Sequence, residues 1–339
     1  MKVKKHDLLI RMLLMLLLAA SLTGCGRKNE VTSEVIMNVE SSVENEPKEG
    51  VIDTYTFTDD TNAEVRVTKK PGKTAVLFAS YADIWINSGG VVDITVEETV
   101  ERGLVEENKA LLVGKSVGKE INAEALIAAK PDFVILTADF PEHVELAELL
   151  RRSNIPVALF RVDQFEDYLK MLQICTDIME RSDAYETYGL QVKSRIEEIK
   201  DKVNGLPNKQ SILFIRAHSR GMSAKTTDHF VGCMLEELNT DNIANHADIL
   251  LDELSIEAIA SEDPDYIFVT TMGDSGSAIA YMQDQINSNP VWQMLSAMRN
   301  DNYIILPKDL FQYKPNGNWD KSYEFLAKEL YPEAFTNEQ

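Results

Sequence analysis

One polar stretch of ten positions contains four basic residues: Arg216, His218, Arg220 and Lys225. The chain of 339 residues has a formal net charge of −21, so a basic cluster stands out against it. A later aromatic stretch adds three further candidates: Tyr313, Lys314 and Trp319. Cationic side chains bind anions through charge-assisted hydrogen bonds and are attracted to the faces of aromatic rings. These residues therefore predict a binding site for an anionic ligand with flat rings.

Three more candidates follow predicted buried strands. Tyr81 and Trp85 come after the strand at 74–79, and Arg161 comes after the strand at 156–160. The carboxyl ends of parallel strands form the usual binding edge of an α/β sheet. The alternative is that the basic loop is merely solvated and that the aromatic side chains belong to the core, especially Trp85, which falls within a predicted helix.

Other chemistry has weaker support in the sequence. The histidines after the N-terminal segment are not spaced as a ligand pair, so no metal site and no cofactor are predicted, and bare Zn or Mn binding stays an alternative. Gly273-Asp274-Ser275-Gly276 is similar to a trypsin-like serine motif, but that fold is all-β. We expect a protein that is not an enzyme, with an exported α/β hydrolase as a further alternative.

A repeat organises the rest of the chain. Residues 121–136 and 254–269 both read as a short helix with Glu-Ala near its start, then Pro-Asp, then a strand buried on both faces. Glu124 and Glu257 occupy the same place in the two copies.

The elements around the repeat predict two α/β lobes. Strands alternate with helices on either side of a helical stretch at 164–204, and this alternation is typical of mainly parallel sheets. We expect two Rossmann-like lobes joined by a long helical backbone, with a ligand cleft between them. The predicted divisions are 51–163 for the N-terminal lobe, 164–204 for the helical linker and 205–332 for the C-terminal lobe.

Five local expectations are specific enough to test. A β-hairpin is predicted within 51–68, and Ser182 is a predicted N-cap between two linker helices. Residues 97–107 are expected to be irregular, and 216–227 and 308–319 are expected to be loops.

The N-terminal segment has its own signals. Residues 1–24 combine positive charge with an apolar run too short for a mature membrane span, which predicts a signal peptide. Leu22-Thr23-Gly24-Cys25 resembles the lipobox of bacterial lipoproteins, in which the cysteine is lipidated. Residues 25–50 are polar and acidic and read as a flexible tether. Cys175 and Cys233 are expected to be free thiols.

The lipobox, the two Glu-Ala helices, the helical linker and the stretch Asn289-Pro290-Val291-Trp292 followed by Asn302-Tyr303 resemble the helical-backbone (class III) substrate-binding lipoproteins of ABC importers. This family captures ferric siderophores, haem or cobalamin. The linker departs from the family pattern in having Arg181 and Ser182 where a glycine often stands.

The resemblance implies capture without chemistry, at the extracytoplasmic face of a cell membrane to which a lipid holds the protein. The implied partners are an ABC permease and its ATPase, with Glu124 and Glu257 docking on the permease. A monomer is expected, and no nucleic acid, because so acidic a surface repels polyanions.

Overall fold

The computed structural model describes residues 53–116, 120–206, 209–246, 250–251 and 254–336. The predicted signal peptide, the lipidation site at Cys25 and the tether lie outside these residues. The span Val51–Gln339 forms one compact unit. Within the described ranges, no helix has the length and apolar character needed to cross a bilayer.

A β-hairpin opens the described chain. Strands β1 (Thr54–Thr58) and β2 (Glu64–Thr68) pair antiparallel, which confirms the predicted hairpin. Phe57, Val65 and Val67 are buried while their neighbours in the strands are more exposed, as the alternation of a half-buried strand requires.

The first sheet has five parallel strands. In chain order they are β3 (Thr74–Val76), β4 (Ile94–Thr95), β5 (Leu111–Leu112), β6 (Phe133–Thr137) and β7 (Val157–Phe160). Their spatial order is β5-β4-β3-β6-β7, so β7 is an edge strand. Along β6, Phe133 and Ile135 join one core cluster and Val134 and Leu136 join another, so both faces of the strand are buried as predicted.

The second sheet has four parallel strands and one antiparallel strand. In chain order they are β8 (Gln210–His218), β9 (Gly221–Ala224), β10 (Thr240–Asn242), β11 (Tyr266–Thr271) and β12 (Tyr303–Ile305). Their spatial order is β10-β8-β11-β12, with β9 paired to β8. The two sheets confirm the predicted α/β fold with mainly parallel strands.

The expectation that 216–227 is a loop was wrong. Strand β8 continues to His218 and returns through β9, with Arg216 opposite Ser223. Ala217 and Ala224 are buried while Arg216 and His218 are only half-buried, so the polar residues lie on one face of a hairpin. The side chains alternate between the two faces as in any strand, but the stretch is so polar that this alternation was not recognised in the sequence.

Helices cover the sheets and connect them. In the first half they are α1 (Ala79–Asn87), α2 (Glu97–Glu101), α3 (Ala123–Ala128) and α4 (Pro141–Arg152). The linker contains α5 (Phe165–Met179), α6 (Ser182–Tyr185), a π-helical turn (Glu186–Leu190) and α7 (Gln191–Asn204). The second half contains α8 (Phe230–Glu237), α9 (Ile256–Glu262), α10 (Ser275–Ser288), α11 (Ser296–Arg299), α12 (Lys308–Phe311) and α13 (Trp319–Leu330).

Three of the local expectations for helical regions were wrong. Helix α2 occupies part of the stretch predicted to be irregular, and α12 with the 3-10 turn Asn316–Asn318 occupies much of the predicted loop 308–319. The N-cap of α6 is Arg181, and Ser182 is its first helical residue. Short helices of four or five residues leave too little periodic pattern to be recognised from sequence.

The two sheets carry the same module. In each, a helix precedes the central strand of a run of three neighbours, β3-β6-β7 and β8-β11-β12. Asn122 caps α3 by accepting from the Ala125 amide, and Ser255 caps α9 by accepting from the Ala258 amide. The predicted repeat is therefore confirmed as structure. A core cluster containing Phe133, Tyr168 and Phe214 runs continuously from the first sheet through the linker to the second.

Candidate functional site

The strand orders locate a binding edge in each lobe. The chain reverses its direction of progress through the sheet between β3 and β6, and again between β8 and β11. At such a reversal the connections leave in opposite directions, which opens a crevice at the carboxyl ends of the strands. The candidate residues are therefore those near the carboxyl ends of the strands in the two sheets.

Arg216 lies near the carboxyl end of β8, on the same face as Phe214, whose ring belongs to the core shared by the two lobes. Its side chain is half-buried, and among the described residues it has no hydrogen-bond or ion-pair partner. Burial lowers the pKa of Arg216 below its usual value, although an arginine stays charged in proteins. Asp228 attracts the guanidinium, but it already pairs with Lys225 and forms no ion pair with Arg216, so an anion would complete the pairing of this desolvated charge.

Lys314 reaches from the second half of the chain to the first lobe. Its ammonium donates to the carbonyl of Val162, and its Nζ lies 3.9 Å from Oδ1 of Asp163. The Lys314 side chain is 15% exposed, and burial lowers its pKa. The nearby carboxylates of Asp139, Asp163 and Asp167 oppose this lowering of the pKa, and Arg216 adds to it, so the two cations share one region with these carboxylates.

Arg161 follows β7 directly and is exposed. Its Nε donates to Oδ1 of Asp139 at 2.8 Å, and its NH2 donates to the carbonyl of Ala138 at 3.2 Å. The hydrogen bond to Asp139 raises the pKa of Arg161. This predicted ligand residue therefore already has a carboxylate partner within its own lobe.

Sequence reasoning missed Arg102. It follows α2, and its NH1 donates to Oγ of Ser80 at 3.0 Å, while its guanidinium carbon lies 3.9 Å from the ring centroid of Tyr313. Tyr313 was predicted as a ligand residue, and its half-buried ring stacks with this cation across the lobes. Helix α2 orients Arg102, and this helix was not predicted because its sequence reads as irregular.

Three cations from three connections and a fourth from strand β8 thus lie where the lobes face each other. We refer to them as the basic quartet: Arg102, Arg161, Arg216 and Lys314. They are linked through neighbours, because Tyr313 precedes Lys314 in the chain and Val162 follows Arg161. Carboxylates lie beside three of these cations: Asp139 at Arg161, Asp163 at Lys314 and Asp83 at Arg102. The expectation of an anionic ligand therefore depends mainly on Arg216, which forms no ion pair with a described residue.

Three predicted aromatic contacts lie in the core. Tyr81 and Trp85 have no exposed surface, and Trp319 is 2% exposed. The Tyr81 hydroxyl donates to the carbonyl of Phe160 at 3.1 Å, and the Trp85 indole N–H donates to the carbonyl of Val91 at 2.9 Å. Trp319 packs edge-on against two phenylalanine rings of the core. Their burial leaves these side chains no surface for a ligand in this structure, which corrects their assignment as ligand contacts.

The remaining basic candidates lie on the β8–β9 hairpin and beyond it. His218 is half-buried and accepts from the Arg220 amide, whereas the Arg220 side chain is exposed. Lys225 pairs with Asp228, with Nζ 2.8 Å from Oδ2. His229, which was not a predicted ligand residue, stacks on Phe230, and burial lowers its pKa to about 3. Its ring is therefore neutral at physiological pH.

Glu124 and Glu257 are both exposed, each in the first turn of its helix. The Asn122 amide donates to the carbonyl of Val113 just beyond β5, so α3 begins at the carboxyl edge of its sheet. Helix α9 ends near Asp265, whose amide donates to Ser211 at the amino end of β8, so its first turn points toward the opposite edge. Both carboxylates therefore lie on the side of their sheets where the crevices open.

Metal ligands do not assemble in the part of the chain that the structure describes: no group of three or more His, Cys, Asp or Glu side chains could hold an ion there. Cys175 and Cys233 are free thiols, and Cys175 is buried.

Two α/β lobes with a helical backbone and facing carboxyl edges define a binding protein that holds its ligand between lobes. The Periplasmic binding protein family model matches residues 75–310. The chain belongs to this family. The family is one of substrate-binding proteins, in agreement with the expectation that the chain captures a substrate.

Relatives support the same architecture. The iron-uptake system-binding protein of Bacillus subtilis (strain 168) is 24% identical over 298 residues, which cover 86% of this chain and 89% of that protein. The petrobactin-binding protein from Bacillus subtilis has a TM-score of 0.65 at 19% identity, covering 83% of this chain and 99% of that one. The periplasmic catecholate-siderophore binding protein from Vibrio cholerae has a TM-score of 0.65 at 13% identity, covering 83% and 100%.

Proposed function

We propose that this protein is the substrate-binding component of an ABC importer and that its cargo is an anionic ferric siderophore. The observation that carries the proposal is Arg216, a half-buried cation that forms no ion pair with a described residue, together with the other members of the basic quartet. Ferric complexes of catecholate siderophores are anionic and present flat rings. The relatives named for iron uptake and for siderophores support this class of cargo.

The proposed ligand residues are the basic quartet, Tyr313, the β8–β9 hairpin residues His218 and Arg220, and Lys225 directly after that hairpin. Arg216 and Lys314 would pair with the anionic oxygens, since charge-assisted bonds are strongest where water is partly excluded. The Tyr313 ring, already stacked with Arg102, would lie against the rings of the ligand. The protein's part is recognition and release, with no covalent step.

The test compares complexes that differ in charge. A soluble protein beginning at residue 51 is titrated with a ferric catecholate complex, a cationic ferric hydroxamate complex, haem and cobalamin, while tryptophan fluorescence is recorded. We expect saturable binding of the catecholate complex and at least tenfold weaker binding of the cationic complex. Equal affinity for both, or no saturable response to any probe, would refute the proposal.

Delivery and attachment complete the proposed role. Glu124 and Glu257, one on each lobe, would dock on basic residues of the permease, because charges at the rim of an interface set orientation and association rate. Cys25 would carry the lipid that holds the protein at the extracytoplasmic face, with residues 25–50 as the tether. Metabolic labelling with a fatty acid tests the anchor: label in the wild type but not in Cys25→Ala is expected.

A further inference from the structure

The turn of the N-terminal hairpin lies against the edge strand β7. The Asp60 amide donates to the carbonyl of Leu159 at 3.0 Å, and the Leu159 amide donates to Oδ2 of Asp59 at 3.1 Å. Strand β7 has a sheet neighbour, β6, on one side only. The turn therefore satisfies backbone groups that an edge strand leaves unpaired.

Asp59 fixes the shape of this turn. Its Oδ1 accepts from the amide and the hydroxyl of Thr61 at 2.9 and 2.7 Å and from the Ala63 amide at 3.0 Å. Its Oδ2 also accepts from Arg151 at 3.2 Å, and Asp59 is 2% exposed. A buried carboxylate with all these donors holds the next residue, Asp60, in one position.

Asp60 in turn holds the backbone of a proposed ligand residue. Its Oδ2 accepts from the Arg161 amide at 2.7 Å, and its Oδ1 pairs with Lys170 of the linker. The Asp60 side chain is only 18% exposed, so these bonds are partly shielded from water. The hairpin, the end of β7 and the linker are thereby joined at one carboxylate.

Arg161 is held from two directions as a result. Asp60 fixes its amide, and Asp139 fixes its guanidinium at 2.8 Å. The next residue, Val162, is the one whose carbonyl accepts from Lys314. Two members of the basic quartet therefore meet at the segment that Asp60 positions, and a cation fixed in advance loses less conformational entropy when it binds an anion.

We infer that the turn of the N-terminal β1–β2 hairpin supports the ligand site and that Asp60 is a positioning residue, which acts on the ligand through Arg161 without touching it. The inference rests on the proposed function. It assigns a role in binding to a segment that precedes the matched family region, which begins at residue 75.

The test separates the acceptor of Asp60 from its charge. Asp60→Ala removes the acceptor for the Arg161 amide, whereas Asp60→Asn keeps one acceptor oxygen and gives up the ion pair with Lys170. With the ferric catecholate complex as probe, we expect about tenfold weaker binding for Asp60→Ala and less than a twofold change for Asp60→Asn. Lys170→Met should also stay within twofold. A tenfold loss in Asp60→Asn or Lys170→Met would overturn the inference.

A double-mutant cycle distinguishes positioning from general damage. If Asp60 acts through Arg161, then Asp60→Ala weakens binding in the wild type but adds no further loss in the Arg161→Gln background. Additive losses would overturn the inference, because they would show a route that bypasses Arg161. Should Asp60→Ala fail to fold, Asp60→Ser enters the same cycle. Wild-type protein that binds no probe contradicts the proposed function, whereas a wild type that binds and an Asp60→Ala variant of equal affinity contradict only the role of Asp60.

Discussion

The two lobes share one module but differ in how their binding edges treat charge. In the N-terminal lobe the arginine after β7 is paired with Asp139, and the aromatic side chains after β3 are sealed in the core. In the C-terminal lobe Arg216 is half-buried and forms no ion pair with a described residue, although Asp228, which pairs with Lys225, attracts it. The arginine after β7 is in contact with a carboxylate, and Arg216 is not. The two copies of the module therefore differ in the side chains at their binding edges. We refer to the N-terminal edge as the firm wall and to the C-terminal edge as the charged wall.

The largest expected effect concerns the firm wall. Trp85→Ala removes a fully buried indole, and large-to-small substitutions of this kind cost about 3–5 kcal/mol of unfolding free energy. The ring also fills the space beside Gly90, where an added Cβ would lie 2.2 Å from it. Urea unfolding should show this loss, with Tyr188→Ala, a partly exposed ring, as the control within about 1 kcal/mol. A stable Trp85→Ala protein with lost ligand affinity would instead restore Trp85 as a contact.

For the charged wall we expect a substitution to reduce ligand affinity and not stability. Arg216→Met is expected to weaken binding of the ferric catecholate complex by about 50-fold, because it removes a desolvated charge partner. The same change should leave the unfolding free energy equal or higher, since an unpaired half-buried charge is replaced by an apolar side chain. Titration and urea unfolding measure the two effects.

Arg66→Met is the matched control for Arg216→Met, because Arg66 is exposed on β2, outside the turn that positions Arg161, and its Nε donates only to Oγ1 of Thr54 among the described residues. It should change neither affinity nor stability beyond about twofold or 0.5 kcal/mol. If Arg216→Met lowered stability and spared affinity, the charged wall would be structural and the contrast between lobes would fail.

A buried histidine in each lobe should make the stability of the protein fall as the pH is lowered. Burial lowers the pKa of His143 in the first lobe to about 4 and that of His229 in the second to about 3. Both values lie below about 6.5 for an unfolded chain, so the unfolded state takes up protons first as the pH falls. Their contribution to stability is complete above pH 6.5 and is lost progressively below it.

Between pH 7.5 and pH 5 each histidine should therefore reduce the unfolding free energy by about 2 kcal/mol. Urea unfolding at the two pH values measures this, and His143→Gln should remove about half of the loss. The Nδ1 of His143 accepts from the Thr137 amide, and a glutamine oxygen is the nearest substitute. A stability that does not change between these pH values would show that neither ring is held neutral.

The smallest expected effect concerns the feature that the lobes share. Glu124→Ala or Glu257→Ala alone should slow uptake of the ferric complex by about threefold, and the pair by about tenfold, with ligand affinity unchanged. Charges at an interface rim act on association rate, so the deficit should shrink in high salt. Uptake in cells carrying the importer measures this. A variant that loses uptake on one side only would show that the two lobes dock unequally.

Much of the fold was predictable because its elements depend on local sequence patterns. The hairpin, the linker helices and the helix–strand repeat each depend on residues within about fifteen positions. Where the pattern is short or carries polar residues, as in α2 and in the β8–β9 hairpin, the prediction was wrong. Because α2 was not predicted, Arg102 was not predicted as a site residue either. A residue cannot be assigned to a site before the element that orients it is known.

The sequence by itself determined the repeat, the mainly parallel sheets and the presence of a basic cluster in an acidic chain. Only the tertiary structure decided which cations lack a partner. Lys225 and Asp228 are three positions apart, whereas Arg161 meets Asp139 over 22 positions and Asp60 over 101. Burial and pairing depend on contacts between distant residues, so the charge that is left over for a ligand appears only when the chain is folded.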